Sequence, residues 1–190
     1  MSYKRVLLIR LAVMEADRRI RRTRAQLRAA VLRLLEDDAP LSMAAIAAAA
    51  DVNRSTVHQH YRGVDDLICD ALADRLRAIA GELADCPFTE QRERPPRQLV
   101  TLVGAVREVE PTLRRLDPSG RARIERELTE ALTEVLTEQF RAGRRPPGRD
   151  RVSPELHARY VAAGVVALAL HAAEAETPGR IAGQAWRLIR

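Results

Sequence analysis

Apolar residues along this chain recur at intervals of three and four, and no stretch alternates with period two for long enough to argue a strand. The stops are helix stops. A basic helix is predicted over about residues 18–36, with Leu27, Val31, Leu34 and Leu35 as its apolar stripe, and Pro40 closes the connection after it. Two short helices follow, over about residues 42–49 and 53–60, with a tight turn between them at 50–52. A longer helix over about 64–83 turns Leu67, Ile68, Ala71, Leu72 and Leu76 inward. Residues 86–96 (CPFTEQRERPP) and 143–151 (GRRPPGRDR) are charged, proline-bearing loops. Asp117-Pro118, Ser153-Pro154 and Thr177-Pro178 each put a capping side chain before a proline at the first helical position. Ile124, Leu128, Leu132, Leu136 and Phe140 then repeat at i+4, with Glu130, Glu134 and Glu138 on the wet side. Residues 161–173 (VAAGVVALALHAA) are apolar all round, so that helix needs cover on both sides, one its own domain and the other a second subunit. The last helix, about 178–189, offers Ile181, Ala185, Trp186, Leu188 and Ile189 to the same seam. The pattern predicts an all-α chain of about nine helices without internal repeats.

At 190 residues the chain is one large domain or two small ones, with 46% hydrophobic and 31% charged residues excluding a disordered or membrane protein. Aromatics at 3% leave the core to Ala, Leu, Val and Ile. Lys4 is the single lysine against 31 arginines, so arginine is inflated throughout and its distribution carries more than its count. Residues 1–62 hold 12 basic against 6 acidic side chains and residues 63–190 hold 20 against 20, so the net +6 sits in the first third. That is a polyanion-binding head on a neutral body. Residues 6–13 (VLLIRLAV) are too short to span a bilayer, are broken by Arg10 and lack a cleavage site. They are either a helical extension of the first helix or sequence upstream of a start at Met14. Cys69 and Cys86 have no metal-type spacing and read as idle thiols of a cytoplasmic protein.

The informative stretch is 41–62. Ser42 caps the second helix and Asn53 the third, with Leu41 stapled to Ile46 and Val52 to Val57. The turn between them wants a residue tolerant of positive φ, which Asp51 is, though glycine suits better. Two short helices joined by a tight turn behind a basic helix describe a helix-turn-helix. On a wheel of about 100° per residue, Val57 and Tyr61 face the core. Ser55, Gln59 and Arg62 fall on the opposite arc, with Thr56 and His58 on its shoulders and Arg54 and His60 flanking the buried edge. No carboxylate occurs from Asn53 to Arg62, which suits a surface pressed on phosphates. Gln pairs well with adenine and Arg with guanine. Asn53 brings free backbone N–H groups, and the first helix (Arg18, Arg19, Arg21, Arg22, Arg24, Arg28) supplies sequence-blind, salt-sensitive affinity.

Thr23-Arg24 followed by Leu27, Ala30, Leu32 and Leu34, then LSMAAIAAAADVNRSTVHQHYRGVDDL, resembles the DNA-binding domain of the TetR family of transcription regulators over about residues 20–70. The resemblance implies a three-helix DNA-binding domain (1–62, with the N-terminal arm) and a helical ligand-binding and dimerisation domain (63–190). It further implies a homodimer on a palindromic operator in double-stranded DNA, usually a repressor released by a small ligand. Implied contacts are Ser42, Asn53, Arg54, Ser55, Thr56, His58, Gln59, His60 and Tyr61, to which the residue reading adds Arg24 and Arg62. Three positions depart from the family's pattern: Asp51 stands at the usual turn glycine, His58 at a common tyrosine, and Val64 at a frequent lysine, which removes one phosphate contact.

In the body, Val103, Val106, Leu128, Leu132 and Val165 are the candidate lining of a pocket for an uncharged or amphipathic ligand. Val161, Leu168, His171, Ile181 and Trp186 are the candidate dimer seam. His58 and His60 point about 200° apart on a helix and cannot share an ion. His157 and His171 lie fourteen residues apart, about 21 Å along a helix. No metal site, cofactor or catalytic constellation is expected: the chain has no Gly-rich phosphate loop, metal-spaced His/Glu set or Gly-x-Ser-x-Gly elbow. Asp51 and Val64 keep a second reading open, a ligand-binding or interaction module with a degenerate helix-turn-helix and no specific operator. A nonspecific nucleoid-type binder is a third.

Overall fold

The computed structural model describes residues 3–90, 93–173 and 175–190, with side chains from Asp17 onward. Eight helices are found among the described residues and no strand: α1 (Tyr3–Glu36), α2 (Met43–Ala49), α3 (Arg54–His60), α4 (Val64–Gly81), α5 (Arg97–Arg114), α6 (Pro118–Arg141), α7 (Pro154–His171) and α8 (Pro178–Ile189). The count is eight where about nine were expected, and the 6–13 run continues the backbone of the basic helix as one α1, the first of its two expected readings. The side-chain packing of that arm lies outside the described residues.

The chain divides into two compact units, Met1–Ala71 and Leu72–Arg190, with the division inside α4. In the first unit Leu27, Ala30 and Val31 of α1 are fully buried with Ile46 of α2, Val57 of α3 and Leu67 of α4. Arg33 donates from Nη2 to the Ala49 carbonyl at 2.8 Å, satisfying an orphan acceptor at the end of α2. Helix α1 stops in a Schellman motif: Ala39 N–H reaches the Leu34 carbonyl and Asp38 N–H the Leu35 carbonyl, with Asp38 at φ +47°.

In the second unit the i+4 row of α6, Ile124 to Phe140, is buried along its length. It packs on α7, and α5 meets both α7 and α8. All three proline-bearing caps form: Asp117 accepts from Gly120 N, Ser153 from Leu156 N and Thr177 from Arg180 N. Three of the scarce aromatics cluster, Phe88 lying edge-on to Phe140 at 5.4 Å between centroids and 6.1 Å from Trp186. Phe88 comes from the charged 86–96 loop, whose composition gives no sign of a core residue. Burial with no charged neighbour to offset it pushes the Cys86 thiol up to about 12, in keeping with an inert thiol.

Candidate nucleic-acid interface

The turn between α2 and α3 is built as the sequence reading requires. Asp51 has φ +53°, its N–H reaches the Ala48 carbonyl, and Val52 N–H reaches the Ala47 carbonyl, a second Schellman closure. Ser42 Oγ accepts from Ala45 N at 3.0 Å and opens α2. Asn53 Oδ1 accepts from Ser55 N at 3.0 Å and from the Ser55 hydroxyl at 3.1 Å, which opens α3. Both capping side chains stand exposed.

Helix α3 buries Val57 and presents the rest. Arg54, Ser55, His58, Gln59 and Arg62 are exposed, and Thr56 and His60 are half-buried. The carboxylate-free strip therefore coincides with the solvent face of the helix. It ends where Asp66 accepts the backbone N–H of Arg62 at 3.3 Å.

Tyr61 sits elsewhere. Only 3% of it is exposed, and its hydroxyl donates to Asp70 Oδ2 while accepting from Arg24 Nε at 3.2 Å. The contact that the resemblance implies for Tyr61 is not available to this buried, already bonded hydroxyl, so that expectation is corrected. Asp70 also draws Arg24 Nη2 to 3.4 Å and Arg28 Nη1 to 3.9 Å, and the Arg24 guanidinium lies 5.3 Å from the Tyr61 ring centre. Burial first, and then the bond to Asp70, pushes the Tyr61 phenol above its ordinary range. The bond to Tyr61 in turn raises Arg24. Sequence reading missed this network, although a carboxylate set among Leu67, Ile68, Cys69, Ala71 and Leu72 signals a paired charge.

The body residues separate. Val103, Val106, Leu128 and Leu132 are close-packed in the core, and of the five candidate lining residues only Val165 also borders a described cavity. That cavity is a groove of about 250 Å³ between α7 and α8, lined by Val161, Val165, Leu168, Ala185, Leu188 and Ile189 along its apolar wall. Tyr160 and Leu188 stand 65% and 63% exposed on it, with Ala163 and Gly164 open beside them. Of the candidate seam, Val161 and Leu168 are on this groove and His171 is exposed at the end of α7. Ile181 and Trp186 are not: both are buried against their own unit, Trp186 completely, because the indole fills the aromatic corner with Phe88. Their assignment to the seam is corrected to the core. Among the described residues no group of three or more His, Cys, Asp or Glu could hold a metal ion, and no helix is long and apolar enough to cross a membrane.

Neither a protein-family model nor a curated protein matches the sequence. Solved structures do match. The TetR-family repressor AlkX of a Dietzia strain, implicated in n-alkane biodegradation, shares 22% identity over 87% of this chain and 92% of its own, with a TM-score of 0.58. The chain has the TetR-family fold. Thermus thermophilus FadR, a TetR-family repressor solved in complex with lauroyl-CoA, is similar at 22% identity over 87% of this chain and 90% of its own (TM-score 0.55). The TetR-family repressor QsdR of R. erythropolis follows at 18% over 91% and 93% (TM-score 0.54). The TetR-family likeness thus extends well past residues 20–70, the part in which sequence motifs carry it.

Proposed function

We propose that the chain is a transcriptional regulator that binds a palindromic operator as a homodimer and acts as a repressor released by a small apolar or amphipathic ligand. In this reading 1–62 is the DNA-binding head and 63–190 the ligand-binding and dimerisation body. The observation that carries it is the exposed face of α3, where Arg54, Ser55, His58, Gln59 and Arg62 form a strip without a carboxylate. Such a face offers donors to phosphates and base edges and no repulsion. Arg24 and Arg28 stand behind it for the phosphate backbone, tempered by Asp70.

Dimerisation is assigned to the α7–α8 groove. Tyr160 and Leu188 are large apolar surfaces left in water by a single chain, and a second copy would cover them as the all-round apolar α7 requires. Two copies would set their α3 helices about 34 Å apart, one turn of duplex. Similar proteins implicated in n-alkane biodegradation and solved with lauroyl-CoA favour an alkyl-bearing effector. The degenerate-motif reading loses one of its two supports, because Asp51 adopts the turn that glycine would.

Selection of binding sites from random duplex DNA tests the proposal. The expected result is an enriched palindrome, retarded in a gel with an affinity that falls as salt rises. Binding without an enriched palindrome, or insensitive to salt, would overturn it.

A further inference from the structure

Arg24 and Arg28 of α1, Tyr61 at the end of α3 and Asp70 of α4 all lie in the first compact unit. The Tyr61 hydroxyl is buried and needs an acceptor, which Asp70 supplies. A neutral acceptor would serve that hydroxyl as well. The negative charge of Asp70 goes beyond this need, for it faces Arg24 Nη2 at 3.4 Å and Arg28 Nη1 at 3.9 Å. Burial first, and then Asp70 itself, keeps the phenol protonated, so Tyr61 adds no charge of its own.

One carboxylate is thus shared by two guanidinium groups. The Asp70 side chain is 20% exposed, against 45% for Arg24 and 37% for Arg28. The arginines are therefore open to an incoming anion, and the acid is the more enclosed partner. Both pairs are longer than the roughly 2.7–2.9 Å of a close charge-assisted bond, and partly solvated pairs of this kind are worth little. Such a contact exchanges readily, and a phosphate offers a guanidinium the same forked pairing as a carboxylate. The place is the right one for a phosphate. Arg24 also donates Nε to the hydroxyl of Tyr61, the residue that closes α3, so the arginine stands beside the end of the carboxylate-free strip.

We infer that Asp70 limits the affinity of the nucleic-acid interface: in the free protein it holds, on Arg24 and Arg28, the place that a backbone phosphate takes in the complex. DNA binding then exchanges one anion for another, and part of the attraction of the two arginines for the duplex is lost to displacing the carboxylate. The inference rests on the DNA-binding reading above but on no particular operator, since phosphate contacts are blind to sequence. Fluorescence anisotropy of the full chain on a mixed-sequence duplex, over a series of salt concentrations, tests it. Asp70→Asn keeps an acceptor for Tyr61 and removes the charge. It should tighten binding about three- to tenfold at low salt and steepen the fall of affinity with salt. In an Arg24→Gln, Arg28→Gln background the same change should alter affinity by less than about twofold. Asp70→Ser, another neutral acceptor, takes the place of Asp70→Asn should that variant fail to fold. Unchanged or weaker binding by Asp70→Asn would overturn the inference. So would a gain that persists without the two arginines, the mark of a general loss of negative charge. The two readings fail differently: native binding with no gain in Asp70→Asn rejects this inference alone, and no duplex binding by either protein rejects the DNA-binding reading with it.

Discussion

At Asp51 the backbone holds a left-handed φ of +53° that an aspartate tolerates and a glycine adopts freely. Asp51→Gly should therefore raise stability by about 0.5–1 kcal/mol, and Asp51→Ala should lower it, both read from urea midpoints. Asp70 poses a different question, because its carboxylate faces Tyr61, Arg24 and Arg28 together. Those ion pairs are partly exposed, so their contribution to stability is small. Their effect belongs to binding: Asp70→Asn should release Arg24 and Arg28 to phosphates and steepen the salt dependence of DNA affinity by about one to two counterions. His157 supplies a pH dependence whose sign is fixed. Its folded-state pKa lies below the ordinary 6.5, so its contribution to stability is complete above that value. It is lost as pH falls through the interval below, where the unfolded chain takes up the proton first. Denaturant titrations at a series of pH values should show this loss in the native chain and less of it in His157→Phe.

At the scale of elements, helix boundaries were legible because capping is local. Ser42, Asn53, Asp117, Ser153 and Thr177 all accept the N–H that their sequence context announces. Asp117→Ala should cost about 1 kcal/mol, measured by chemical denaturation, since Gly120 N–H would lose its partner at 2.7 Å. On α3 the wheel places Val57 and Tyr61 inward, and both are buried. The same geometry leaves Gln59 exposed. Gln59→Ala should relax base preference at one position of each half-site by about 1–3 kcal/mol, seen in competition against single-base operator variants. Tyr61 shows where periodicity runs out: it fixes the direction of a side chain but not the partner of its hydroxyl, which lies on α4.

For the whole molecule, Gly164 offers a clean test of the second copy. A Cβ there meets nothing within 4 Å in a single chain, so the fold should tolerate a side chain. Gly164→Glu puts a charge into the apolar groove between α7 and α8 and should leave the melting curve of the monomer unit intact while shifting sedimentation toward single copies. A variant that remains dimeric with native affinity for itself would place the interface elsewhere.

Residue order alone was enough for the all-helical class, the caps, the left-handed turn at Asp51 and the acid-free face of α3. Each depends on neighbours within a turn or two, where spacing translates directly into geometry. Packing decided the rest. Whether Trp186 faces a partner or its own core depends on Phe88 arriving from a distant loop. The Tyr61 hydroxyl finds Asp70 and Arg24 only because three helices converge. Likewise, His157 is buried because its ring meets Phe140 of α6. Those contacts join positions far apart along the chain, and no local periodicity encodes them.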